Sequence, residues 1–176
     1  MRNVRLVLAV GVVGVLVVFF VLAQAPAKPG PEHDYLKKME GTWDATVKFG
    51  DQESKGTMTH KMELGGRWLT SDFEGDFGGQ KFQGKGFDGY DPVKKKYVAV
   101  WVDSMSNSPM VSEGTLDKEG KVMTMLSEGP GMDGKPTKYK SVSEIKDDDT
   151  ILFTMSSVDK EGKDQTMMTI TYKRKK

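Results

Sequence analysis

Phe87-Asp-Gly-Tyr-Asp-Pro-Val-Lys-Lys-Lys-Tyr97-Val-Ala-Val-Trp-Val-Asp103-Ser-Met105 carries the clearest secondary-structure signal in the chain. From Tyr97 the residues alternate: Tyr97, Ala99, Trp101 and Asp103 share one face, and Val98, Val100 and Val102 the other. A period of two predicts a pleated strand whose two faces meet different surroundings. The preceding Asp91-Pro92 and the three lysines form a polar turn that leads back from an earlier strand. A strand, a tight turn and a strand again is the unit from which the rest of the chain is assembled.

Outward from this hairpin the same grammar repeats. Strand-like runs are expected at 42–49, 55–64, 68–77, 81–90, 97–103, 110–117, 121–128, 137–146, 150–157 and 164–173. Between them stand Gly50-Asp51, Gly65-Gly66, Gly78-Gly79, Asp91-Pro92, Lys118-Glu119-Gly120, Asp133-Gly134, Asp147-Asp148-Asp149 and Glu161-Gly162, the residues that tight turns require. Such links are too short for helical crossovers, so neighbours in sequence must pair antiparallel. A meander this long tends to curl and close on itself, which removes its edges. The expected fold is all-β: an antiparallel up-and-down barrel of about ten strands, residues 31–176, with a short helix at its start. That helix opens at Pro31, has Glu32 and Asp34 near its positive end and Lys37 and Lys38 near its negative end, and stops at Gly41. Tyr35, Leu36 and Met39 share a face, so it should dock as a lid or plug, with His33 exposed.

The amino terminus reads differently. Arg2 and Arg5 precede an uncharged apolar run, Leu6–Leu22, followed by Ala23-Gln24-Ala25-Pro26-Ala27. This is the pattern of a signal peptide over residues 1–24, with cleavage after Ala23 or Ala27, or of a retained membrane anchor. Residues 25–30 are a Pro/Gly linker. An exported protein, periplasmic or secreted, is the expectation, with a membrane partner only if the segment stays uncleaved.

Composition excludes some function classes. Lys plus Arg is 26 and Asp plus Glu is 25, which leaves no basic field for nucleic acid. Cysteine is absent, so disulfides, thiolate nucleophiles and zinc–thiolate sites fall away. No cofactor and no metal site is expected. Asp147-Asp148-Asp149 lacks the glycine and distant glutamate of a calcium loop, and Ser104–Ser108 has no Gly-x-Ser-x-Gly elbow.

Gly41-Thr42-Trp43 resembles the calycin superfamily, in which a Gly-x-Trp opens the first strand and an Arg from the last strand covers it. Here Arg174 is positioned for that role. The resemblance continues through Gly65-Gly66-Arg67-Trp68-Leu69, Phe73-Glu74-Gly75, Gly89-Tyr90-Asp91, Lys95-Lys96-Tyr97, Trp101-Val102-Asp103, Ser112-Glu113-Gly114-Thr115 and Thr169–Arg174. Together these blocks are similar to a family of exported bacterial domains of unknown function with a lipocalin-like barrel. What the resemblance implies is a fold and an exported location. Nitrobindin-like barrels, which are related, hold haem through a histidine on a late strand; no histidine follows position 60 here, so that site is not carried over.

A closed barrel of this size leaves room for a small apolar or amphipathic ligand. Met58, His60, Met62, Tyr97, Trp101, Asp103 and Glu113 are the candidate lining residues. Gly41, Trp43 and Arg174 are candidates for closing one end. Two alternatives stand beside this non-enzymatic reading. One is an enzyme using His60 with a carboxylate, Asp103, Glu113 or another acid, as an acid–base pair on a small or lipid-like substrate. The other is a membrane-anchored structural or interaction module, which an exposed apolar patch on the barrel wall would favour. Twelve methionines, Met123 and Met125 among them, suit a pliable interior or a soft-metal site.

Overall fold

The computed structural model describes residues 28–131 and 134–176. The expected signal or anchor segment, residues 1–24, and the first half of the linker lie outside the described residues. A 3₁₀ turn, Pro31–His33, runs directly into helix α1, Asp34–Met39. Ten strands follow: β1 Gly41–Phe49, β2 Gln52–Glu63, β3 Trp68–Phe77, β4 Gln80–Asp91, β5 Lys96–Asp103, β6 Met110–Leu116, β7 Val122–Pro130, β8 Pro136–Asp147, β9 Thr150–Val158 and β10 Asp164–Arg174.

Each strand pairs antiparallel with its sequence neighbours, and β1 pairs with β10 to close the barrel. Closure is in register from Trp43 opposite Arg174 to Phe49 opposite Met168. Irregularities interrupt the ladder between Ile145 and Asp147 in β8 and between Thr166 and Met168 in β10. At such points one strand carries an extra residue and bends more sharply.

The alternation read at Tyr97–Asp103 is realised. Tyr97 is buried, while Val100 and Val102 are exposed on the outer wall. Inward residues form two packed clusters. One gathers Trp43, Ala45, Val47, Met58, Phe73, Ile151, Ile170 and Tyr172. The other, against α1, gathers Tyr35, Leu36, Leu69, Tyr97, Met123 and Met125.

The helix plugs the end where β1 starts and β10 ends. Tyr35 Oη donates to the Ser143 carbonyl at 3.1 Å and Tyr97 Oη to the Glu32 carbonyl at 2.6 Å. Trp43 Nε1 donates to the Met39 carbonyl at 2.9 Å. A helix this short lacks stability of its own, so these bonds and the burial of Tyr35 and Leu36 hold it. His33 corrects the sequence expectation: it is buried, not exposed, and meets Tyr90 edge to face with ring centroids 6.4 Å apart. The turn that starts the helix points it at the barrel rather than at solvent.

Arg174 does what the resemblance implied. Its guanidinium carbon stands 4.0 Å from the centroid of the Trp43 ring. It also donates to the carbonyls of Glu40 at 2.7 Å, Lys38 at 3.0 Å and Asp148 at 2.8 Å. Two of these are carbonyls at the carboxyl end of α1 that lack helical partners. Gly41 has φ 133°, and a β-carbon there would meet Arg174 Nη1. Only glycine satisfies both demands.

Candidate functional site

The candidate site is the barrel interior, and its chemistry is set by which residues the register turns inward. On β2 these are Met58, His60 and Met62; on β3 Leu69, Ser71 and Phe73. On β4 they are Phe82, Gly84, Gly86, Asp88 and Tyr90, since Gly84 faces Phe73, Gly86 faces Ser71, and Asp88 faces Leu69. On β5 they are Tyr97, Ala99, Trp101 and Asp103.

Trp101 lies flat against the backbone of β4. A β-carbon on Gly84 would fall inside the indole, and one on Gly86 would sit 3.1 Å from the ring and 3.3 Å from Ser71 Cβ. Glycine at both positions lets the ring approach the strand and reach the neighbourhood of Ser71. Its Nε1 donates to Asp103 Oδ2 at 3.2 Å.

His60 is buried and hydrogen-bonded through Nδ1 to Ser71 Oγ at 2.8 Å. Burial pushes its pKa down to about 4, which keeps the ring neutral at physiological pH. Neither of the two carboxylates named as acid–base partners for His60, Asp103 and Glu113, is hydrogen-bonded to it. Glu113 faces outward, opposite Val98 and Leu126, and forms ion pairs with Lys94 and Lys96. Those two lysines draw its pKa below the usual carboxylate value. Glu113 therefore leaves the set of lining residues, because the parity of β6 turns Ser112 and Gly114 inward instead. Asp103 sits at the far end of β5, engaged by Trp101 and by the backbone N–H of Met105 at 2.9 Å. It orders the rim and does not contact His60.

The acid that does face the interior is Asp88, which sequence reasoning missed. It is half-buried, and desolvation raises its pKa to about 7. Part of its surface nonetheless stays open. Its register turns it inward, so the open part of its surface faces the barrel interior. Among the described residues no hydrogen bond or ion pair satisfies its carboxylate. The same partial exposure runs through Ala99, Trp101, Ser112, Ser141, Phe153 and Met155, all turned inward by register. Met58, His60 and Tyr97 are packed more fully, and Met62 lies against the α1 cluster. Met123 and Met125 are inward as well, packed in that cluster. Among the described residues no group of His, Asp or Glu side chains is placed to hold a metal ion.

At the end opposite α1, rings cluster at the mouth. Phe49 and Phe77 meet at 5.6 Å, Phe77 and Phe82 at 6.3 Å, and Phe82 and Phe73 at 5.7 Å. A cleft of about 240 Å³ opens there between the β1–β2 and β3–β4 turns, lined by Phe49, Gln52, Asp76 and Phe77. A second, of similar volume, lies on the outer wall between Lys61, Asp72, Lys85 and Phe87. On the same wall Phe87 faces Val100 and Val100 faces Val111, three exposed apolar residues side by side.

These features define a closed, plugged antiparallel barrel of the lipocalin-like class. The chain belongs to the family described as "Protein of unknown function (DUF1579)", whose model matches residues 28–174. Among solved structures it is similar to Rv2717c from M. tuberculosis, with a TM-score of 0.60 and 14% identity over 84% of this chain and 99% of that one. It is also similar to the S-type phycobiliprotein lyase CPES from Guillardia theta, with a TM-score of 0.55 and 12% identity over 82% of this chain and 93% of that one. Comparison with curated proteins gave no match. At such identities the likeness is one of architecture.

Proposed function

We propose that this is a non-enzymatic binding protein that holds a small apolar or amphipathic molecule inside the barrel, admitted at the Phe-lined mouth opposite α1. The observation that carries this reading is the partial exposure of inward residues in the middle of strands that close on themselves. A fully packed interior would leave Ser141 or Phe153 no surface. The phycobiliprotein lyase and Rv2717c support the architecture and not the ligand. The cleft at the mouth, about 240 Å³, is the point of entry, and the flexible Met155 and Met168 side chains can shift to admit a ligand beyond it.

We further propose that the protein is exported, on the strength of Arg2, Arg5 and the Leu6–Leu22 run. Native mass spectrometry of the chain purified from its own cell envelope tests both points. The expected result is a reproducible extra mass lost on denaturation, on a chain that begins after Ala23 or Ala27. A bare chain that also takes up no apolar probe overturns the binding reading, and an amino terminus at Met1 in a soluble cytoplasmic fraction overturns export.

The exposed row of Phe87, Val100 and Val111 favours a second reading, an interaction module that uses its outer wall. Light scattering tests its self-associating form. A mass above the monomer that returns to the monomer in Val100→Lys would support it, and a monomer at all concentrations would count against it.

A further inference from the structure

The ligand's polar end can be specified further, on the premise that the interior is the binding site. Asp88 stands on β4 between Leu69 of β3 and Ala99 of β5, one step below the layer sealed by Tyr90, Tyr97 and Tyr35. An ionised carboxylate accepts hydrogen bonds only, and an enclosed one is costly unless donors or a cation compensate it. Three donors that reach this end of the barrel are committed elsewhere. Tyr35 Oη donates to the Ser143 carbonyl and Tyr97 Oη to the Glu32 carbonyl. The Ser71 hydroxyl is occupied with His60 Nδ1. Lys85, beside this segment in sequence, points outward to Asp72 at 2.6 Å. Asp88 is thus a half-buried acceptor that the register turns inward, with no hydrogen-bond donor or cation bonded to it among the described residues.

We infer that Asp88 is the anchor for the head of the bound molecule, and that this head is a protonated amine or a comparable hydrogen-bond-donating cation. The head lies deep, beneath α1, and the apolar body extends past Ala99 and Trp101 toward the phenylalanines at the mouth. Trp101 is two residues nearer that mouth than Ala99 on the same inward face, so an extended chain rising from Asp88 passes its indole. The outer lysines and glutamates play no part, because the wall separates them from the interior.

The test compares three ten-carbon probes below their micelle concentrations at pH 8: decylamine, decanol and decanoate. Binding is read by calorimetry and by tryptophan fluorescence. A charge-assisted bond to a half-buried carboxylate corresponds to a preference on the order of tenfold to a hundredfold for the amine over the alcohol. The inference expects that preference, expects decanoate to bind weakest, and expects Asp88→Asn to bring the amine-to-alcohol affinity ratio down to about one. Equal affinity for amine and alcohol, or a preference that survives Asp88→Asn, overturns it and leaves the interior-binding reading intact. Failure of all three probes to bind overturns both. Should Asp88→Asn fold poorly, carboxyl NMR of the unsubstituted protein decides the question. Decylamine should lower the Asp88 pKa, and an unmoved titration contradicts the anchor.

Discussion

Asp88 and His60 make opposite demands on pH. Asp88 titrates near 7 in the folded chain against an ordinary 3.8, so its ionisation is harder folded than unfolded. The stability it contributes is complete below pH 3.8 and is lost as pH rises through 7. His60 titrates near 4 against an ordinary 6.5, so its contribution is complete above pH 6.5 and lost as pH falls through 4. In the window between 4 and 6.5 the two trends oppose each other. Asp88→Asn is therefore expected to be more stable than the unsubstituted chain above pH 7, by about 4 kcal/mol at most and less because the group is only half-buried. The advantage should disappear below pH 4. Urea melts at pH 4, 6 and 8 check this, and equal midpoints at pH 8 would show that the carboxylate already has a partner. The residue scale is also where sequence reading failed. In Phe87-Asp88-Gly89-Tyr90 the two aromatics fall on opposite faces, so the local pattern does not say which way Asp88 points. The parity is set by Phe82 and Tyr90, and the intervening Gly84 and Gly86 erase the pattern that would have revealed it. Glu113 was misassigned for the matching reason, since Ser112 and Gly114 give no apolar clue to their face.

At the scale of elements, the strands were legible because Gly, Asp and Pro punctuate them. The observed β3 is Trp68–Phe77, where the sequence had placed it, while β2 begins at Gln52 and not at Lys55. Residues 52–54 are polar and carry no alternation, yet pairing with β1 extends the ladder through them. The lid character of α1 was visible in Tyr35, Leu36 and Met39, but its fastenings were not, since they join residues distant in sequence. Tyr97→Phe removes the bond to the Glu32 carbonyl and should cost about 0.5–1.5 kcal/mol. Hydrogen exchange should accelerate in Pro31–Met39 more than in the central strands, whereas uniform acceleration would deny α1 independent motion. Gly84→Ala forces a methyl group into the Trp101 indole and should cost about 1–3 kcal/mol by overpacking. Trp101→Ala in the same background should recover part of that loss in a double-mutant cycle. Independent, additive effects would place the ring elsewhere.

At the scale of the molecule, closure follows from ten short-linked antiparallel strands and was readable from the turns alone. What could not be read is how far the interior is filled, because that depends on the register of every strand at once. Two packed clusters occupy much of it, and the half-buried inward residues mark what remains. On the binding function proposed, a ligand enters the barrel interior and does not sit on the apolar row of the outer wall. The most direct measurement is an amide chemical-shift titration of the folded chain with decylamine. Perturbations should concentrate at Asp88, Ala99, Trp101, Ser112, Ser141 and Phe153, extending to Phe49 and Phe77 at the mouth. Shifts confined to Phe87, Val100, Val102 and Val111, or no shifts at saturating probe, would contradict it.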